Sequence, residues 1–234
     1  MFTANFKKTF AIRFFGYLGI LAGMITLMLG VEPVIGEELR YRSERAFGVK
    51  HVVPNVISSA GAVDQPLEED PGSGRFGSIL SGAPNTITPV STDFGIVIEK
   101  INANAKVIED VDPSSETAYM TALADGVAHA QGTNYPGQAG NVYLFSHSVD
   151  APWNVVRYNA IFYLLSKLES GDRVIVYYKG RRHDYYVFDK VVVPPSDTQY
   201  LTTQTTESLL TLQTCDPPGT TLNRLIVRAK LIGS

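Results

Sequence analysis

An uninterrupted apolar segment stands near the start of the chain. From Phe14 to Val31 no side chain carries a charge, and as a helix this segment would extend about 27 Å, close to the ~30 Å of a bilayer's hydrocarbon core. It lacks the polar stripe of a half-buried helix, and no convincing small-x-small cleavage site lies around residues 29–36. The pattern favours an uncleaved membrane anchor over a cleaved signal peptide or a buried core helix.

Basic residues flank this segment on both sides. Lys7, Lys8 and Arg13 precede it without an acidic neighbour, whereas the arginines within residues 40–45 are mixed with glutamates. Acidic residues count little in the positive-inside rule, so the two basic tallies are nearly even, but the amino-terminal residues lie closer to the membrane edge. We therefore expect the amino terminus inside and the bulk of the chain outside.

The hydrophobic pattern fades between Val53 and Pro89, where Gly, Pro, Ser and Asn are frequent. Such a composition is typical of a flexible linker, and a short helix is predicted just before it at Glu37–Phe47. We expect this segment to act as a tether, so that deletion of residues 1–88 leaves a folded domain.

Short β-branched runs and turn signals begin at Asp93. Strands are predicted at Phe94–Ile98, Ala105–Ile108, Val142–Phe145, Arg173–Tyr178, His183–Phe188, Val191–Val193, Leu209–Thr214 and Arg224–Leu231. A helical turn or two is predicted at Ile161–Leu168, and Lys179-Gly180 is typical of a hairpin turn. The pattern predicts a mostly β fold, a closed or nearly closed mixed β-barrel with few short helices, over residues 89–234.

Composition narrows the possible functions. The 234 residues include 20 basic and 23 acidic side chains, a net charge of −3 that argues against binding to nucleic acid. The single cysteine excludes an internal disulfide framework and a four-cysteine zinc site. The four histidines lack the spacing of a zinc site, and Gly72-Ser73-Gly74 is not followed by the lysine of a phosphate-binding loop. We expect no cofactor and no metal.

Three chemically useful side chains are predicted at strand ends. Cys215 follows the strand Leu209–Thr214. His147 follows the strand Val142–Phe145, and Arg224 opens the last strand. Taken alone, a single cysteine is more often an inert buried thiol. A histidine at such a position is more often a surface residue, and an arginine is more often a solvated strand end. Together they offer a thiolate nucleophile, a proton donor and a fixed cation, the three roles that cysteine chemistry on acyl groups requires.

The residues around the cysteine resemble a known family. Thr211-Leu212-Gln213-Thr214-Cys215, followed by Arg224-Leu225-Ile226-Val227, resembles the TLxTC…R signature of the sortases, the membrane-anchored cysteine transpeptidases of bacterial surfaces. Gly126-Val127-Ala128-His129 and Leu144-Phe145-Ser146-His147-Ser148 resemble the stretch that carries their catalytic histidine. The resemblance covers residues 94–231 and implies a sortase-like barrel.

The resemblance also implies a role for each candidate residue. Cys215 would be the nucleophile, His147 the general acid/base and Arg224 the group that stabilises the oxyanion and the substrate. Arg228 is the rival for the role of the arginine, but it lies farther from the strand end where Cys215 is expected. Thr214, directly before the cysteine, is the candidate substrate-binding residue.

Several positions depart from the pattern of the family or stand apart from its chemistry. Glu99 stands where many members have proline, and Ser146 replaces a common glycine. His129, in the GVxH stretch, is expected to be structural. Asp70-Pro71-Gly72 lacks the aromatic residue of the lid that pilin-polymerising members often carry, so we do not assign the chain to that group.

Taken together, these features imply four parts: a short cytoplasmic tail (1–13), a transmembrane anchor (14–31), an extracytoplasmic linker (32–88) and a catalytic barrel (89–234). The implied reaction cleaves an LPxTG-like carboxyl-terminal sorting signal of surface proteins and transfers the new acyl end to an amine, such as that of a cell-wall precursor. The alternatives are a thiol peptidase whose acceptor is water, and an anchored β-barrel that binds peptides without turnover.

The Phe14–Val31 segment is expected to hold the protein in the membrane. Because the segment is uncharged, the intact protein should stay with membranes after high-salt and alkaline washing, as measured by immunoblotting of the pellet. Recovery of a soluble product that begins near residue 32 would show instead that the segment is a cleaved signal.

Overall fold

The computed structural model describes residues 4–53, 85–148 and 161–232. It begins with helix α1 (Ala4–Ala46), so the predicted anchor and the predicted helix Glu37–Phe47 are parts of one continuous helix. The side chains of residues 27–35, which include the end of the apolar segment, lie outside the described residues. Within the described part of the chain, no helix combines the length and the apolar character that a membrane span requires.

The rest of the described chain is mostly β. The strands are β1 (His51–Val52), β2 (Asn85–Thr86), β3 (Phe94–Ile98), β4 (Ala103–Val111), β5 (Val127–Ala130), β6 (Gly140–Phe145), β7 (Arg173–Tyr178), β8 (Arg181–Val193), β9 (Ser208–Asp216) and β10 (Asn223–Leu231). The short helices are α2 (Glu116–Asp125) and α3 (Gln199–Thr202), with 3-10 turns at Glu99–Ile101 and Tyr163–Lys167. Strands β3 to β10 close into a barrel in the order β10-β8-β7-β3-β4-β5-β6-β9, which confirms the predicted mostly β barrel with few short helices.

Both faces of several strands are covered. Ile96, Leu144 and Leu212 are fully buried in one cluster that fills the barrel. A second cluster lies outside it, where Leu123 of α2 packs with Tyr143 of β6. Because β3, β5 and β6 are buried at every position, their sequences do not alternate between apolar and polar residues. β3 has no polar side chain, and β5 and β6 have one buried polar side chain each, His129 and Asn141.

The predicted strands match the structure unevenly. β3 and β7 have the predicted ends, whereas the two runs predicted at 183–188 and 191–193 form the single strand β8. Helix α2 and strand β5 were not predicted. Ser115 caps the start of α2, since its Oγ accepts a hydrogen bond from the Ala118 amide at 3.4 Å, but only two residues of the helix, Ala122 and Leu123, are buried. Such a narrow contact leaves no helical apolar stripe to detect.

The two described ends of the predicted linker pack on the barrel. β1 and β2 pair in parallel beside it. Val53 and Ile87, which follow these strands, are buried against outward-facing side chains of β3 and β7, namely Val97, Ile175 and Tyr177. The expectation of an unpacked tether is therefore wrong for these ends, because their few apolar residues cover an apolar patch. Residues 54–84, with Asp70-Pro71-Gly72, lie outside the described residues.

Glu99, the departure from the proline of the family, holds one of these ends. Its Oε1 accepts the Val53 amide at 2.7 Å, and its two carboxylate oxygens each lie 2.8 Å from Arg173 Nη2. The substitution for proline thus supplies an ion pair that connects the linker, the barrel and the 3-10 turn after β3.

The end of α1 also docks on the barrel. Tyr41 is 8% exposed and belongs to the cluster that fills the barrel. Glu38 Oε1 lies 3.1 Å from Lys167 Nζ, and the same ammonium group lies 5.7 Å from the centre of the Tyr41 ring. These contacts fix the direction in which the helix leaves the barrel.

Replacement of Tyr41 is expected to destabilise the barrel. Because its ring is buried, Tyr41→Ala in the full chain should lower the free energy of unfolding by about 3 kcal/mol, measured by denaturant titration in detergent. Leu39→Ala on the same helix is the matched control, since Leu39 is 60% exposed and should change the stability by less than about 0.5 kcal/mol. Equal, small effects of both variants would show that α1 is undocked.

Candidate functional site

Cys215 and Arg224 are cross-strand neighbours. β9 and β10 pair antiparallel, and their register places the two residues directly opposite each other. Because Leu212 and Leu225 face the barrel core, the alternation of both strands puts Cys215 and Arg224 together on the outer face. Both residues are half-buried, and directly opposite Cβ atoms lie about 4.5–5.5 Å apart.

β6 brings His147 to the other side of Cys215. β6 runs parallel to β9, with Phe145 beside Gln213. The Ser146 amide donates to the Gln213 carbonyl at 3.1 Å, so the ladder continues beyond the last residue of β6. Extending the same register sets His147 beside Cys215, one strand spacing of about 4.8 Å away. His147, Cys215 and Arg224 thus form one row across β6, β9 and β10, which we call the cysteine row.

Two buried hydroxyl groups hold the cysteine row together. Thr214 Oγ1 donates to the Ser146 carbonyl at 3.0 Å and so joins the residues directly before Cys215 and His147. Ser148 Oγ accepts the Gly219 amide at 3.2 Å and joins the segments that follow them. The hydroxyl of Thr214, the expected substrate contact, is therefore engaged with the backbone of the histidine segment.

Arg224 keeps most of its donors available. Its Nη1 donates to the carbonyls of Thr221 at 3.2 Å and Asn223 at 3.1 Å, both just before or at the start of β10. In the described ranges, no group bonds to Nε or Nη2. The guanidinium is thus oriented through one nitrogen, and the other two can donate to an oxygen near the thiol.

Arg228, the rival arginine, is engaged elsewhere. It lies opposite Thr211 in the register, four residues along β10 from Arg224. Its Nη1 lies 3.5 Å from Asp189, and its guanidinium lies 5.0 Å from the Phe188 ring centre. The register therefore puts Arg224, and not Arg228, beside the thiol.

The outer face continues from the cysteine row towards the start of β6 and β9. The buried side chains of Tyr143 and Phe145 of β6 and the half-buried Gln213 of β9 form this part of the outer face, which we call the outer floor. Helix α3 packs over its far end through Tyr200. The Tyr143 hydroxyl donates to Gln213 Oε1. Burial raises the pKa of Tyr143, and the positive charge of Arg224 opposes that shift.

Sequence reasoning missed Tyr143 and Gln213. The available signal was the variable position of the TLxTC motif, which the strand alternation places on the same face as the cysteine. Ser146, the other departure from the family, contributes its backbone to the row, and among the described residues nothing bonds to its buried Oγ.

The structure places His129 away from the cysteine row. It lies on β5, is 1% exposed and packs on the Tyr135 ring at 4.8 Å between centres. Its Nε2 is 3.1 Å from the Asn134 carbonyl, and burial lowers the pKa of its imidazole. His129 is thus a packed, neutral side chain of the barrel wall. Within the described ranges, no group of three or more His, Cys, Asp or Glu side chains could hold a metal ion.

The sequence matches the family model described as Sortase domain over residues 96–232, more than half of the chain. The protein therefore belongs to the sortase family, whose members are cysteine transpeptidases. Among curated proteins, none matches the sequence.

Solved structures support the same assignment. Sortase C-1 from Actinomyces oris is 27% identical, with a TM-score of 0.51, and the match covers 62% of this chain and 77% of that one. Sortase C1 from Streptococcus suis is 25% identical, with a TM-score of 0.51 and coverages of 61% and 75%. The lid mutant of Streptococcus agalactiae sortase C1 is 27% identical, with a TM-score of 0.50 and coverages of 60% and 68%.

Proposed function

We propose that this sortase cleaves an LPxTG-like carboxyl-terminal sorting signal of surface proteins and transfers the acyl product to an amine, such as that of a cell-wall precursor. The observation that carries the proposal is the cysteine row. It sets a thiol between an imidazole and a guanidinium with available donors, on the outer face of a sortase barrel. In this proposal Cys215 is the nucleophile, His147 the general acid/base and Arg224 the oxyanion donor.

The first half of the reaction forms a thioester. The Cys215 thiolate attacks the scissile carbonyl carbon, and the carbonyl electron pair moves onto oxygen. Arg224, directly opposite Cys215, donates from Nε or Nη2 to this oxyanion. When the intermediate collapses, the C–N bond breaks and the His147 imidazolium gives its proton to the departing amine.

The second half regenerates the enzyme. The acceptor amine attacks the thioester carbonyl and passes a proton to the neutral His147 imidazole. The C–S bond then breaks, and Cys215 leaves as the thiolate beside the restored imidazolium. One amide bond replaces another, so the reaction needs no oxidant or reductant. Water in place of the amine would give hydrolysis.

We assign the barrel to the outer surface of the cell membrane, held by α1. The support is the uncharged Phe14–Val31 segment, which continues as the same helix into the docked residue Tyr41. About ten residues of helix, roughly 15 Å, separate the end of that segment from Tyr41. This arrangement keeps the barrel close to the membrane, where membrane-attached substrates and acceptors would be concentrated.

The reaction class can be tested by product mass. The wild type is incubated with an LPxTG-like peptide, with and without an added amine, and the products are identified by mass spectrometry. We expect the amine-linked acyl product from the wild type and no product from Cys215→Ala, since the chain has no other thiol. A hydrolysed product that does not change with the amine would indicate a thiol peptidase, and binding without any product would indicate a peptide-binding module.

The two arginines give a matched pair of variants. Arg224→Lys keeps the charge but loses the planar set of donors, so we expect a rate loss of about a hundred- to thousandfold, or about 2.7–4 kcal/mol. Arg228→Lys should stay close to the wild type, because its charge pairs with Asp189 on the flank. Near-normal turnover of Arg224→Lys with a large loss in Arg228→Lys would move the role of oxyanion donor to Arg228.

His147→Ala should abolish turnover while the thiol still reacts with a small alkylating agent.

A further inference from the structure

Gln213 is the outer-face residue of β9 nearest to Cys215. The two residues are two positions apart on one strand, so their side chains lie on the same face. Gln213 is half-buried, and its Oε1 accepts the Tyr143 hydroxyl. In the part of the chain that the structure describes, no group bonds to Nε2. The carboxamide therefore presents unpaired N–H donors on the outer floor, beside the thiol.

Tyr143 determines which end of the carboxamide is available. Its side chain is 4% exposed, and burial raises the pKa of the phenol, which keeps its proton at neutral pH. The protonated phenol donates to the carboxamide oxygen in this structure, and this pairing leaves the NH2 group free. Tyr143 thus orients Gln213 through a hydrogen bond that solvent cannot replace.

The spacing of the outer floor matches that of an extended peptide. Two residues of an extended chain span about 6.6 Å, and the same separation divides Gln213 from Cys215 along β9. When the scissile carbonyl of a substrate lies at Cys215, the residue two positions away in an aligned substrate lies over Gln213.

The outer floor extends on one side of Cys215 only, and this side is the better place for the acyl half of the substrate. β9 ends at Asp216, directly after Cys215, so the continuous floor runs only towards Tyr143 and the Tyr200 side chain of α3. The acyl half must stay bound while the leaving amine departs and the acceptor enters. We therefore place the residues before the scissile bond over this floor.

We propose that Gln213, oriented by Tyr143, donates a hydrogen bond from Nε2 to the backbone carbonyl of the substrate residue two positions before the one that supplies the scissile carbonyl. This inference rests on the proposed function and deepens it. It makes Gln213 a substrate-binding residue and Tyr143 a positioning residue, and it predicts recognition of the backbone carbonyl at this position, which is the proline of an LPxTG-like signal.

The experiment is a double-mutant cycle between enzyme and peptide. Two LPxTG-like peptides are compared: the natural one, and one in which a trans-alkene replaces the peptide bond that contains the carbonyl in question. Affinity is measured in the Cys215→Ala background, where no reaction interferes, and KM and kcat are measured with the catalytic cysteine present. Gln213→Leu is combined with each peptide in both assays.

Loss of one hydrogen bond should weaken binding by about three- to tenfold. We expect this loss for Gln213→Leu with the natural peptide and for wild-type Gln213 with the alkene peptide. The combination of both changes should cost no more than either alone. Most of the loss should be in KM, because this contact does not change during the chemical step.

Tyr143→Phe tests the positioning role. It should reduce the ratio of affinities between the natural and the alkene peptide, whereas a merely structural role would lower the melting temperature and leave that ratio unchanged. Gln131→Leu and Tyr186→Phe are the matched controls, since Gln131 is exposed and Tyr186 lies on β8, and both should keep the wild-type ratio.

Two outcomes would overturn the inference. One is an equal effect of the alkene on the wild type and on the Gln213→Leu variant, and the other is no effect of the alkene on the wild type. Failure of the proposed function looks different: the enzyme with its cysteine would then give no amine-linked product from the natural peptide, and absence of peptide binding to Cys215→Ala would overturn both.

Discussion

The register between β6, β9 and β10 is the constraint on which the candidate site depends. β9 pairs in parallel with β6 and antiparallel with β10, so the ends of β6 and β9 and the start of β10 meet at one end of the barrel. His147, Cys215 and Arg224 are far apart in sequence and become neighbours only through this pairing. A slip of one residue along β9 would turn Cys215 into the barrel core and Thr214 outward.

Burial fixes this register more strongly than any single polar contact. Leu144, Leu210 and Leu212 are fully buried inside the barrel, and closure of the barrel leaves β9 without a free edge along which to slip. The Thr214–Ser146 hydrogen bond then secures the strand ends, where the apolar packing stops. The chemistry thus lies directly beyond the last well-packed layer, at the ends of rigid strands.

The sequence predicted the barrel and the three candidate residues because each left a local signal. β3 and β7 were apolar runs bounded by turns, and the TLxTC motif marked Cys215. Partners across the sheet left no such signal. The hydrogen bond between Tyr143 and Gln213, which are 70 residues apart, depends on the parallel register between their strands. The docking of Tyr41 was missed for a similar reason, because a single buried ring on a helix leaves no periodic pattern.

The central claim is that His147 and Cys215 are cross-strand neighbours, and formation of a disulfide between these two positions tests it most directly. His147→Cys gives the chain two thiols, and mild oxidation followed by intact-mass and thiol counting reports whether they join, which requires Cα atoms within about 7 Å. We predict rapid, complete loss of both thiols as an internal disulfide. Arg228→Cys, placed four residues along β10 from the partner of Cys215, should keep both thiols free under the same conditions. Two free thiols in the oxidised His147→Cys protein would contradict the account.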